Sequence, residues 1–96
     1  MSDWHLYLVR TDAGALYTGI STDVDKRFET HQLGLGSKYL RGNQPAKLVY
    51  RCQIGDRSLT SKVEYRVKQL DKPAKENIVR SAPSREQLLD IVDLCD

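Results

Sequence analysis

Two β-forming runs lie close together near the start of the chain, His5-Leu6-Tyr7-Leu8-Val9-Arg10 and Leu16-Tyr17-Thr18-Gly19-Ile20, separated by Thr11-Asp12-Ala13-Gly14-Ala15. They read as a hairpin, and the loop length decides what the hairpin presents. A one-residue slip in register turns every side chain to the opposite face. A two-residue Ala13-Gly14 loop would set Tyr7 opposite Ile20 and part the two tyrosines. A three-residue loop, Asp12-Ala13-Gly14, suits a type I turn closed by a left-handed residue, with Gly14 in the left-handed place. This register predicts Val9 opposite Tyr17 and Tyr7 opposite Gly19. Both tyrosines then share one face, and the glycine leaves room over Tyr7.

Downstream, Ser21 and Thr22 can cap a helix that starts near Asp23 and runs to about Gln32, with Gly34-Leu35-Gly36 as its stop. Val24 and Phe28 form its inward i,i+4 pair. Arg27 and His31 form a second such pair, at about 60° and 20° from Val24 on the helical wheel, on or beside the face that should be buried. Ser37-Lys38-Tyr39-Leu40-Arg41 reads as a short basic turn or helix. Lys47 to Ile54 reads as a third strand. A helix over Arg57 to Leu70 carries the stripe Leu59, Val63, Val67 and Leu70, with Glu64 at its edge. Pro73 suits the first turn of a helix from about Ala74 to Arg80. Ser84 and Gln87 make a capping box for a last helix whose apolar residues are Leu88, Leu89, Ile91, Val92 and Leu94. The expected fold is α+β: a small, mainly antiparallel three-stranded sheet flanked by helices, in the order β-β-α-β-α-α, plus a C-terminal helix. Residues 1–80 are expected to form the main domain, with 81–96 as a helical extension packed on or near it.

Ninety-six residues make one small domain. No apolar run approaches the ~20 residues of a membrane span, and no basic-then-apolar leader precedes Asp3-Trp4-His5. Cys52 and Cys95 are too few for a disulfide framework or a thiolate metal site. A cytoplasmic protein with reduced thiols and no membrane partner is expected. The net charge of +2 hides an asymmetry. From Lys26 to Arg80 there are 13 Lys/Arg against 5 Asp/Glu, a balance of +8, and each flank carries a balance of −3. A basic middle between acidic ends permits phosphate binding.

Tyr7 and Tyr17 on one strand face, Arg27 and His31 on one helix face, and Glu64 on another helix suit phosphodiester hydrolysis. That reaction needs a base for water, positive charge on the developing phosphorane, and help for the leaving oxygen. Tyr or His can serve the first need. The planar fork of Arg matches phosphate oxygens, and a carboxylate can hold Mg²⁺ or Mn²⁺. Taken singly, each residue has a plain structural reading: the tyrosines are good strand formers, and Glu64 with Lys68 makes an ordinary i,i+4 pair. Spacing alone stops at a small basic α+β domain able to bind phosphate.

Trp4-x-x-Tyr7, Tyr17-Thr18-Gly19, Arg27-x-x-x-His31, Gly34-x-Gly36 and Glu64, in that order, resemble the GIY-YIG nuclease superfamily. The resemblance is closest to the small stand-alone bacterial branch related to structure-specific junction endonucleases. It covers roughly residues 3–80, and Asp56-Arg57-Ser58 ahead of the Glu64 helix also fits. The first motif is degenerate, with His5 and Leu6 where the family has glycine and isoleucine, and Ile20 stands where repair-type members carry lysine. The resemblance implies metal-dependent hydrolysis of a DNA phosphodiester at one divalent ion, Mg²⁺ or Mn²⁺. It implies Tyr7, Tyr17, Arg27, His31 and Glu64 as catalytic residues, with Glu64 as the metal ligand and either tyrosine as the base.

Gly19, Lys38, Arg41, Lys47, Arg57 and Lys62 are the expected DNA-binding positions. The basic ones would give affinity and salt dependence without sequence specificity. Branched, damaged or single-stranded DNA is the expected substrate, chosen by shape, by a protein partner, or by both. The alternative is a non-catalytic nucleic-acid-binding accessory module.

Overall fold

A computed structural model describes residues 3–33 and 45–94. The strands are β1 (Trp4–Thr11), β2 (Leu16–Ser21) and β3 (Pro45–Gly55), and the helices are α1 (Val24–Gln32), α2 (Arg57–Gln69), α3 (Lys72–Ser81) and α4 (Arg85–Ile91). The sheet order is β2-β1-β3, antiparallel throughout. The fold is thus the α+β arrangement that the sequence predicts.

β1 is the central strand, and it is apolar on both faces because both are covered. On one face, Leu6, Leu8 and Ile54 pack with Val63 and Val67 of α2, Ile78 of α3 and Leu88, Leu89 and Val92 from the α4 region. On the other, Tyr7 and Val9 meet Val24 of α1, with Tyr17, Phe28 and Leu48 around them. Tyr7 therefore belongs to a small second core under α1 and not to the main one.

The hairpin adopts the three-residue loop. Thr11 and Ala15 close it through a 2.9 Å backbone bond, and Gly14 takes φ 86°, where a side chain is strained. Tyr7 pairs with Gly19 and Val9 with Tyr17, as the loop length predicts. α3 pins the hairpin from outside. Arg10 makes a two-point ion pair with Glu76, at 2.8 and 2.6 Å, and Lys72 Nζ donates to the Gly14 carbonyl at 2.8 Å.

The caps correct the sequence reading in two places. α1 is capped by Asp23, whose carboxylate accepts from Lys26 N at 3.1 Å, and not by Ser21 or Thr22. Ser21 Oγ instead accepts from Asp23 N at 3.0 Å and sets the chain's approach to the cap. α3 starts at Lys72, two residues before the expected Ala74, because Asp71 accepts from Ala74 N and places Pro73 in the first turn. The Ser84–Gln87 capping box of α4 forms as read. Ile91 departs from the expected apolar face and is 44% exposed. It lies about 60° outside the arc that runs through Leu88, Val92 and Leu89.

Candidate active site

The register turns Tyr7 and Tyr17 to the face that α1 covers. A Cβ placed on Gly19 would overlap the Tyr7 hydroxyl and lie 2.5 Å from Tyr7 Cζ. The phenol thus rests directly on the glycine. From α1, fully buried His31 brings Nε2 to 2.8 Å from Tyr7 Oη. The Tyr17 ring meets the same imidazole edge-on, with centroids 5.6 Å apart. Two tyrosines from two strands thus converge on one histidine from one helix.

Arg27 sits one turn before His31. It is exposed, where the wheel placed it beside the buried face, because its long side chain reaches water from that boundary. Its charge still acts on the cluster. Burial pushes the Tyr7 hydroxyl up to about 12, with further upward pressure from Tyr17 and Glu64, against which Arg27 works. Burial also lowers the His31 pKa, and the Arg27 guanidinium lowers it further. At neutral pH the pair is therefore a neutral phenol and a neutral imidazole. Which of them donates depends on the imidazole tautomer. Glu64 contributes its charge from α2; its carboxylate is mostly covered and pairs with Lys68 Nζ at 3.2 Å.

A family model for the GIY-YIG catalytic domain matches residues 3–77, more than half of the chain. The chain belongs to the GIY-YIG family. GIY-YIG domains are catalytic domains of nuclease type. Among its relatives, a UPF0213 protein of Yersinia enterocolitica is 53% identical over 96 residues, covering 98% of this chain and 97% of that one. A UPF0213 protein of Yersinia pestis is 56% identical over 85 residues, covering 86% and 90%. The solution NMR structure of a UPF0213 protein from Bacillus halodurans is similar with a TM-score of 0.54 and 35% identity, over 82% of this chain and 84% of that one. No helix among the described residues is long and apolar enough to cross a membrane.

Lys47 lies exposed on β3, and Lys62 lies exposed on α2. Arg57 stands over the Trp4 ring, 5.3 Å from its centroid, a cation–π contact that ties the start of α2 to β1. Lys38, Arg41 and the Gly34-x-Gly36 motif lie outside the described residues. The sequence reading missed Arg51, which reaches from β3 to Asp25 of α1 at 2.8 Å and braces the helix that carries Arg27 and His31. A basic residue on the Tyr7 face, directly opposite Tyr7 in the β1–β3 register, was the signal.

Among the described residues, no three of His, Cys, Asp and Glu gather as a metal cluster. A hard divalent cation is still compatible with Glu64, because Mg²⁺ commonly takes one or two carboxylates and fills its shell with water and substrate phosphate. The Lys68 pair is half-open to solvent on the lysine side. Such pairs are worth about 0–1 kcal/mol, so trading it for an ion costs little.

The buried histidine predicts a pH-dependent stability. The folded chain holds His31 below its ordinary pKa, so the unfolded chain takes up a proton that the folded one refuses. This contribution is fully present above about pH 6.5 and is lost as pH falls below it. Thermal melts between pH 8 and 5 should show that loss in the wild type. A His31→Asn variant, less stable overall, should show a flatter dependence.

Proposed function

We propose that this chain hydrolyses phosphodiester bonds in DNA, with one Mg²⁺ or Mn²⁺ held by Glu64. The observation that carries the reading is the convergence on one imidazole of Tyr7 and Tyr17, with Arg27 at the rim and the Glu64 charge within reach. When bound, the ion would supply Lewis acidity to the scissile phosphate and its leaving oxygen.

Arg27 keeps a permanent positive charge at the mouth of the site, where it stabilises the phosphorane. Tyr17 is half-buried, whereas Tyr7 is 1% exposed. Tyr17 is therefore the tyrosine that meets the attacking water, and Tyr7 holds His31 in place through the 2.8 Å bond. The water's proton is taken up within the tyrosine–histidine cluster, with His31 as its final holder. An imidazole is a better final acceptor than a phenol, because its pKa lies nearer neutrality. Substrate choice by DNA shape, a targeting partner, a role in repair or processing, and action in the bacterial cytoplasm belong to the same proposal.

The test is cleavage of labelled single-stranded, duplex and branched DNA at low salt, with Mn²⁺, with Mg²⁺ and with EDTA. Cutting only with metal is expected. Tyr17→Phe should lose about 10²-fold or more in rate, the usual share of a general base. Tyr7→Phe should lose both rate and stability, since it strips a buried imidazole of its partner. Gel shifts without a cut strand under any metal would replace hydrolysis by the accessory binding module.

A further inference from the structure

Away from the tyrosine–histidine cluster, a groove of about 450 Å³ lies on the outer face of α2, lined by Ser61, Lys62, Tyr65, Arg66 and Leu94. Tyr65 is 64% exposed, one of the few large apolar side chains left in water. Ser61 stands four residues before it and Lys62 three before it, so both adjoin the ring along the helix. Arg66 Nη1 donates to the Val92 carbonyl at 3.3 Å, which fixes the guanidinium between α2 and the end of α4. Leu94 packs against the main core beneath. The groove thus has an apolar floor, one open aromatic face and two cations, and none of its five lining side chains is acidic.

Tyr65 follows Glu64 directly, turned about 100° around the helix. Lys62 and Arg66, each two residues from Glu64, lie about 160° from it, beyond Tyr65. A nucleic-acid strand whose scissile phosphate sits at Glu64 would reach Tyr65 with a neighbouring nucleotide and the two cations with the phosphates that follow. A base still paired in a duplex is stacked on both faces and has none to offer. An unpaired base can lie on an exposed aromatic ring while flanking cations hold its phosphates. We propose that Tyr65 stacks an unpaired base next to the scissile phosphate, with Lys62 and Arg66 holding the phosphates beyond that base. This rests on the hydrolytic reading above and adds a residue that selects strands with an unpaired flank.

The test separates stacking from charge. Binding of a fluorescein-labelled oligothymidylate, and of an abasic strand of the same length, is measured by anisotropy in EDTA. Tyr65→Ala should weaken oligothymidylate binding roughly tenfold, within the range of one lost base–aromatic stack, and leave the abasic strand unchanged. Tyr65→Phe should bind as wild type does. Lys62→Gln and Arg66→Gln should weaken both strands alike and each lower the salt dependence by about one phosphate contact. Equal binding by Tyr65→Ala and wild type overturns the subsite, as does an equal loss on both strands. Wild type that binds neither strand overturns it too. Metal-dependent cutting by that same wild-type protein then shows whether the hydrolytic reading survives. Because Tyr65 is exposed, unchanged melting of Tyr65→Ala is the control for fold.

Discussion

Glu64→Gln should abolish metal-dependent cleavage, with a loss on the order of 10³-fold or more. A bound cation contributes several kcal/mol at a transferring phosphoryl group, at about 1.36 kcal/mol per factor of ten. Glutamine keeps the shape and removes the charge. The cost to the fold is small, since the pair that Glu64 makes with Lys68 is an i,i+4 contact on a half-solvated helix flank. DNA binding in EDTA should stay level or tighten slightly, because one negative charge has left the site. Retained binding with lost cleavage, measured side by side, ties Glu64 to the ion. Full cleavage by Glu64→Gln would remove Glu64 from the mechanism and reduce the case for a cation at this place.

Gly19→Ala should be the most damaging single-methyl change in the hairpin. The new Cβ would overlap the Tyr7 hydroxyl, and Tyr7 has nowhere to go, because it is buried against His31 and the small α1 core. Overpacking of this kind costs about 1–3 kcal/mol, which lowers Tm by roughly 5–20 °C in a domain of this size. Activity should fall by about 10²-fold even where the protein is folded, since a 1 Å displacement of a positioned group has that effect. Double-mutant comparison with Tyr7→Phe locates the clash. If the damage comes from the phenol, Gly19→Ala should cost less once the hydroxyl is gone. An undiminished cost in the Tyr7→Phe background would place the strain elsewhere.

The degenerate first motif leaves only its tyrosine, at Tyr7, and that residue carries the buried bond to His31. The small core under α1 explains why a histidine can stand on a helix face with no exposure at all. It is walled by Tyr7 and Tyr17 and fills volume as an apolar side chain would, while one ring nitrogen is satisfied.

The hairpin register, the helix order and the α4 capping box were all legible in the sequence. Each rests on local chemistry: loop length sets register, alternation sets faces, and cap residues set helix starts. The convergence of Tyr7, Tyr17 and His31 was legible too, from the hairpin register and the helix wheel. Tertiary structure alone decided how deeply each of them is buried. Tyr7 and Tyr17 are equivalent by residue type and by face. Only the depth of the α1 core separates them, sealing Tyr7 and leaving Tyr17 half open. The Arg10–Glu76 clamp and the groove at Tyr65 were equally invisible, because each joins residues far apart in the chain. Glu76 stands 66 residues from Arg10, and the Arg66–Val92 bond spans 26. Contacts over such separations follow from how helices settle on the sheet, which no local pattern encodes.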